Sequence, residues 1–520
     1  VVPAQARPRT QQALAAFIGL WALALAGCAD TGPAAVPVTA QQALPTPERR
    51  TRVVMVGIDG ADWDNLDPLI DAGGLDNLAH MRHDAAWAPL HIDSAESPES
   101  WTTIATGVHP DQHGIIEDKQ GRGGVFFATP DMLKRHRLWD IATRFDRSSL
   151  VSGWWVTGPA YPIKGVMIGR EDNSSFPAGA LDVGGADLRP AHEAAQLDRL
   201  GLGLVHSGVV RTWTGRQDFD LIALPYYGHD QALHMLYAEH AAARDPALVA
   251  GLPPDLAENV RTADAIVKET VALADRLVGV ARQLAGDDGY VVLFSDHGHS
   301  LAPHPERRIA LARRVLDGAR GTIEHGRVQL DGATLSLDVD IEHPDLPPPL
   351  AYDLRMPRIF VEGDPDGAVR NKLLALKTAA GDPLLSPYGT ALRPSAAVQQ
   401  ACQRAIGRKV EPAWTCFVNT GAHDLDDLGI FAVSGPGVRA GRVRSDVATV
   451  DIAPTVLWLM GLPYADDMVG RPLTVLLSDP PRPTSVRSYE DGRQPWKAAA
   501  PSVQDPVEVQ EWLKSMGYIQ

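Results

Sequence analysis

The chain has 520 residues, 45% of them hydrophobic, enough for one large domain with insertions or for two domains. Its 47 glycines and 41 prolines point to many loops around a scaffold and away from a helical bundle. A formal charge of −16, from 64 acids against 48 bases, argues against non-specific nucleic-acid binding, which needs a basic footprint; an anionic substrate stays open, because bound cations would reverse the local potential.

At the start of the chain, Arg7 and Arg9 precede "ALAAFIGLWALALAGC", an apolar run of secretory type. It ends Leu25-Ala26-Gly27-Cys28, which fits a bacterial lipoprotein signal over 1–27, with cleavage before Cys28 and acylation of that cysteine. A transmembrane anchor is the alternative, but the run is short for a crossing of about 20 residues. Residues 28–50, rich in Ala, Pro, Thr and Gln, then read as a flexible tether. Export permits a disulfide between Cys402 and Cys416, closing a loop of about 15 residues worth up to roughly 3 kcal/mol. Two reduced, buried thiols are the other reading, and the absence of a CxxC spacing speaks against a cysteine-bound zinc.

The folded part is expected to begin at "TRVVMVGIDGADW", where 53–58 form a continuously apolar strand and Asp59 falls at its end. Helical spacing follows over 66–81, interrupted by Gly73-Gly74. In "SPESWTTIATG", Pro98 suits the first helical position, which makes Ser97 the N-cap, a place where orphan N–H groups attract an anion. Further strands are predicted at 220–227, 290–296, 357–363 and 428–435, and helices at 254–285 and 446–460. Apolar strands alternating with helices indicate a mostly parallel sheet covered on both faces. The segment 300–420, rich in Pro, Gly and Asp, reads as an insertion near the mouth of the site; 51–299 and 421–480 then form the core, and 481–520 a C-terminal tail.

Open α/β sheets bind ligands at the carboxyl ends of their strands. That rule selects Asp59, then Asp230 and His234 past "LIALPYY", then the adjacent Asp296 and His297 after "VVLFS". Asp230 and His234 are four apart, so a helix there puts both on one face. Carboxylate oxygen with imidazole nitrogen is zinc chemistry, with manganese or iron also suited. His423, in a loop before an apolar strand, has the weakest local case, and Ser97 taken alone is explained by capping.

In the order "VVMVGIDGADW", "SPESWTTIATGVHPDQHGI", "YYGHDQALH", "LFSDHGHS" and "GAHDLDDLGIFAVSGPGV", the chain resembles the alkaline phosphatase superfamily, in its bacterial type I phosphodiesterase/nucleotide pyrophosphatase branch. The resemblance spans about 52–475 and implies an α/β three-layer sandwich, with a mostly parallel central sheet, helices on both faces and an inserted segment. It implies two divalent metal ions, zinc by preference with manganese or iron as alternatives, about 4 Å apart. Carried over motif by motif, Asp59, Asp296, His297 and the nucleophile would hold one ion, and Asp230, His234 and His423 the other. The nucleophile position lies ten residues before Gly107, at Ser97, with Ser94, Thr102 and Thr103 as competing hydroxyls. The sulfatase pattern fails because Trp101 stands where its arginine belongs.

The reaction implied is in-line displacement at phosphorus through a phospho-serine. The substrate is a phosphate-ester small molecule or a lipid headgroup, with no nucleic-acid partner, and the chain would be tied to the bacterial envelope, facing the periplasm or outer surface, through acylated Cys28. Lys119 is the one base near the motifs, which favours a diester over a dianionic monoester; Trp63, Trp101, Trp154 and Trp155 are candidates for an aromatic rim, with core the preferred reading of each. Asp118 stands where the family carries Asp or Asn, His109 and His113 read as structural, and His299 and His304 are lesser candidates for the rim of the site. A phosphomonoesterase or phosphoryl-group transferase is the alternative within the superfamily, and a catalytically inactive envelope lipoprotein the alternative outside it.

Overall fold

The run VVMVGI folds as strand β1, Val53–Ile58, with all six residues buried. The computed structural model describes residues 50–116, 128–170, 174–183, 186–187, 210, 212–252 and 254–301, then 322–324, 327–330, 332–338, 358–377 and 381–397, and finally 420–443, 446–491 and 493. Cys28, Cys402, Cys416, Asp118, Lys119 and His304 lie outside the described residues.

After β1 come α1 (Trp63–Asp71) and α2 (Asp76–His83), separated at Gly73-Gly74 as the sequence indicated. Next are β2 (Ala86–His91), α3 (Ser97–Thr106), α4 (Pro110–His113) and α5 (Leu138–Arg144). Short strands β3 (Ser149–Ser152), β4 (Gly165–Ile168) and β5 (Ser175–Phe176) precede β6 (Leu221–Tyr226). Helix α6 (Gly228–Ala243), the 32-residue α7 (Pro254–Ala285) and β7 (Tyr290–Phe294) follow. The core closes with β8 (Gly429–Ser434), β9 (Gly441–Arg442) and α8 (Ile452–Leu459). The helix expected over 446–460 is therefore shorter, its first turn being a 3-10 turn at Thr449–Asp451. Among the described residues no helix is long and apolar enough to cross a membrane.

These strands form one ten-stranded sheet in the order β9-β2-β8-β7-β1-β6-β3-β4-β5, with Val447–Ala448 beside β2. From β7 through β4 the neighbours run parallel, while β8 is antiparallel to both β7 and β2. The fold is thus α/β with a mostly parallel central sheet. Side-chain alternation along β1 divides the core: Val53 and Met55 pack with Trp101, Trp154 and α8, and Val54, Val56 and Ile58 pack with α1, α2 and α7. Gly57 falls on the first face, where a Cβ would come within 2.3 Å of Trp101 Cη2 and 2.8 Å of Phe294 Cε2. Only glycine leaves room there for the indole.

A second, six-stranded antiparallel sheet arises within the region read as an insertion. The strand expected at 357–363 forms at Arg358–Glu362, but it pairs antiparallel with Ala333–Asp338 and belongs to this small sheet. Leu335, Ile359, Leu373 and Leu392 give it a core of its own.

Candidate metal centre

In-register parallel pairing aligns three strand ends. Gly57 of β1 lies opposite Pro225 of β6 and Phe294 of β7, so the residues that leave those strands emerge at one edge of the sheet. Asp59 follows β1, Asp230 opens α6 just past β6, and Asp296 and His297 follow β7. All four are buried. Gly60, at φ 71°, turns the chain sharply beside them; a Cβ there would sit 2.8 Å from His299 Nδ1. Helix α6 places His234 Nε2 3.3 Å from Asp230 Oδ1. The loop before β8 brings in His423, whose ring stacks on His297 with centroids 3.8 Å apart.

Ligand atoms of Asp59, Asp296 and His297 all lie within 4.8 Å of one another, as do those of Asp230, His234 and His423. A third overlapping group joins Asp230, His297 and His299. His297 Nδ1 lies 3.0 Å from the Gly298 carbonyl, and His234 Nδ1 3.2 Å from that of Gly421. Each Nδ1–H donates to its carbonyl, leaving Nε2 with a lone pair for a cation.

Burial pushes the Asp59 carboxyl well above the usual carboxylate range, helped by the charges of Asp296 and Asp230. Burial also raises Asp296, although the His297 imidazole opposes it. For Asp230 the penalty of burial is outweighed by His234, His299 and His297, which hold its carboxyl well below the usual range. Burial, together with the neighbouring imidazoles, keeps His423 and His299 neutral. Asp59 Oδ1, Asp296 Oδ2, His297 Nε2, His423 Nδ1 and both nitrogens of His299 have no hydrogen-bond partner. Carboxylate oxygens and imidazole nitrogens that converge in a buried cluster fit divalent cations, and two adjoining Asp/His groups are consistent with a binuclear site.

Ser97 stands at the start of α3, largely buried, close enough to the Asp296 carboxylate to help lower its pKa. The N-cap is Glu96, not Ser97: the amides of Glu99 and Ser100 both donate to the Glu96 carbonyl. Ser97 is then the first helical residue. Competing hydroxyls are engaged elsewhere. Thr102 Oγ1 donates to the Pro98 carbonyl at 2.7 Å, Thr103 Oγ1 pairs with His113 Nε2 at 3.1 Å, and Ser94 Oγ accepts from the Glu96 amide at 3.1 Å.

The family model described as type I phosphodiesterase / nucleotide pyrophosphatase matches residues 53–362. The chain belongs to that family. None of the curated proteins matches it. Among solved structures, murine ectonucleotide pyrophosphatase / phosphodiesterase 5 shares 13% identity at a TM-score of 0.40, covering 82% of this chain and 100% of its own. Its human counterpart shares 15% at 0.41, with the same coverage, and an inactive murine variant in complex with AMP shares 13% at 0.38. At those TM-scores the likeness adds nothing to the assignment, which rests on the family match.

As a hydrolase of the type I phosphodiesterase / nucleotide pyrophosphatase family, the chain meets some of the sequence readings and departs from others. Trp63, Trp101, Trp154 and Trp155 are all buried, so core, the preferred of their two readings, holds and they do not rim an opening. His299 is not a rim residue either: it is buried inside the cluster, with Nε2 3.6 Å from Asp230 Oδ1. Arg170 was missed. Its buried guanidinium lies 3.3 Å over the Trp155 ring and 4.6 Å from that of Tyr227, and its charge reaches Asp59 and lowers that carboxyl's pKa. The strand-end rule would have selected it had the four-residue β4 been recognised in "GVMIGR". His109 and His113 are structural as read: His109 Nδ1 is 2.7 Å from Asp93 Oδ2, while His113 accepts from the Ile115 amide and donates to Thr103.

Proposed function

We propose that the chain is a metal-dependent phosphohydrolase that cleaves phosphodiester or phospho-headgroup substrates through a phospho-serine on Ser97. The observation that carries this reading is the place of Ser97, buried at the start of α3 and close to the Asp296 carboxylate, beside two adjoining donor groups. Asp59, Asp296, His297 and Ser97 would hold one cation, and Asp230, His234 and His423 the other, with zinc the proposed metal and manganese or iron the alternatives. Such a pair, when bound, supplies Lewis acidity to the phosphoryl oxygens and lowers the pKa of a hydroxyl or water.

The chain's own part is positioning. The first turn of α3 carries Ser97, whose Oγ would attack phosphorus, and the helix N-terminus would favour the anionic phosphoryl group. With its proton lost to solvent, Ser97 Oγ bonds to phosphorus as the bond to the leaving oxygen breaks. Water then attacks phosphorus, the Ser97 Oγ–P bond breaks, and the serine is restored. Zinc-loaded Ser97→Ala protein should keep about two equivalents of metal and lose turnover of bis(p-nitrophenyl) phosphate. Retained turnover would move the nucleophile elsewhere.

Arg170 favours a second reading, a phosphomonoesterase or phosphoryl-group transferase, because a buried cation near Asp59 suits a dianion. Side-by-side kcat/KM values for p-nitrophenyl phosphate and the diester separate the two, and product analysis with an alcohol acceptor separates hydrolysis from transfer. We further propose that Cys28 is acylated and tethers the enzyme to the bacterial envelope, facing the periplasm or outer surface; the arginine-flanked apolar run ending Leu-Ala-Gly-Cys supports this. Cys28→Ala should move the protein from the membrane fraction to the soluble one.

A further inference from the structure

One face of α3 delivers three polar contacts to the acids. Ser97 lies close to the Asp296 carboxylate, Ser100 Oγ donates to the Asp296 carbonyl at 2.9 Å, and Trp101 Nε1 donates to Asp59 Oδ2 at 3.2 Å. Positions 97, 100 and 101 share a face because they are three and four apart on a helix.

The indole is held firmly. Trp101 is fully buried and meets Trp154, Tyr227 and Phe294 edge-on, with centroids at 4.9, 5.4 and 5.7 Å. Its own carbonyl accepts from Trp154 Nε1 at 3.2 Å, and its ring fills the notch left by Gly57. The two oxygens of Asp59 therefore differ. Oδ2 is occupied by the indole N–H; Oδ1 has no hydrogen-bond partner and lies 3.4 Å from His297 Nε2, inside the cluster.

We infer that Trp101 is a positioning residue that fixes Asp59 as a one-oxygen ligand, turning Oδ1 to the cation and withholding Oδ2. This rests on the metal reading of the site. An indole N–H only donates, so it neither competes for the cation nor accepts a proton. Carboxylates bind cations through one oxygen or two, and a donor fixed on the second oxygen selects the first mode. The same rigid helix that carries the Ser97 hydroxyl thereby sets the orientation of the ligand opposite it.

The test uses the full chain with cobalt(II) as the probe and two replacements of Trp101. Trp101→Phe removes the N–H and part of the ring; β-(3-benzothienyl)alanine at position 101 keeps the bicyclic shape and puts sulfur in place of the N–H. Cobalt affinity is measured by chelator competition, the visible spectrum reports coordination, and kcat and KM for bis(p-nitrophenyl) phosphate are recorded. Both replacements are expected to weaken one of the two cobalt sites about 10- to 100-fold. The visible band should also lose intensity as coordination expands, and kcat should fall more than KM changes. A benzothienylalanine protein matching the wild type in affinity and spectrum would overturn the inference and leave the metal reading standing. A wild-type chain that takes up no cobalt would overturn both.

Discussion

Asp230 Oδ1 lies 3.3 Å from His234 Nε2, 3.6 Å from His299 Nε2 and 4.0 Å from His297 Nε2, so this one carboxylate faces three imidazoles drawn from two segments of the chain. It belongs to both the second ligand group and the overlapping third. Asp230→Asn removes the charge that those nitrogens share with a bound cation. Its expected cost is at least about 100-fold in metal affinity, because even outer-shell partners of a metal ligand are worth 10- to 100-fold. His234→Ala should lose one ion and retain the other, since Asp59, Asp296 and His297 are untouched. Metal content after dialysis checks both. Two ions held tightly by the pair of variants would end the paired-cation reading.

Packing gives a second expectation. A methyl group at Gly57 would be 2.3 Å from the Trp101 indole and 2.5 Å from a second carbon of the same ring. Trp101 has no direction in which to retreat, being enclosed by Trp154, Tyr227 and Phe294. Gly57→Ala should therefore destabilise the fold by about 1–3 kcal/mol, the range for overpacked cores. Denaturant unfolding at fixed metal concentration measures it. A variant as stable as the wild type would mean that the helix α3 and strand β1 interface yields more easily than its contacts suggest.

What could be read in advance follows from how local each signal is. Asp59 and the pair Asp296-His297 were legible because an apolar strand running into charge is a local pattern, and parallel strands deliver such ends to one sheet edge. Asp230 and His234 needed only helical spacing. His423 had no local signature, since a loop reaches the centre through tertiary packing alone, and it entered through motif order. Arg170 escaped because β4 has only four residues, too few for periodicity to register. His299 was placed at the rim, and the tryptophans were left between core and rim, for one reason: a sequence gives residue type without the direction in which the side chain leaves the backbone.

His113 offers a pH dependence independent of any metal. Burial lowers its pKa from 6.5 to about 3, as its ring accepts from the Ile115 amide and donates to Thr103. A histidine depressed in the fold binds its proton more readily when unfolded. Its contribution is complete above about pH 6.5 and is lost as pH falls toward 3. His113→Gln should flatten the stability profile between those limits, and should cost about 1–3 kcal/mol near neutral pH through the partners left unmatched. Unfolding free energies measured every half unit from pH 4 to 8 decide the point. A variant profile as steep as the wild type's would assign the acid sensitivity to other groups.

Metal removal should act most strongly at alkaline pH. In the metal-free fold, burial raises the Asp59 and Asp296 carboxyls above their ordinary value of 3.8. An acid raised in the fold is protonated more readily when folded, so its contribution is complete below 3.8 and shrinks as pH climbs through the raised value. A divalent cation requires both carboxylates ionised, so binding releases protons and tightens with pH, and the bound ion stabilises the fold by mass action. Asp230 is held ionised by its imidazoles, and His423 is already neutral, so neither opposes the trend. The drop in Tm caused by a chelator should therefore be larger at pH 8 than at pH 5.5. A drop equal at the two values, or larger in acid, would remove Asp59 and Asp296 from the ligand set.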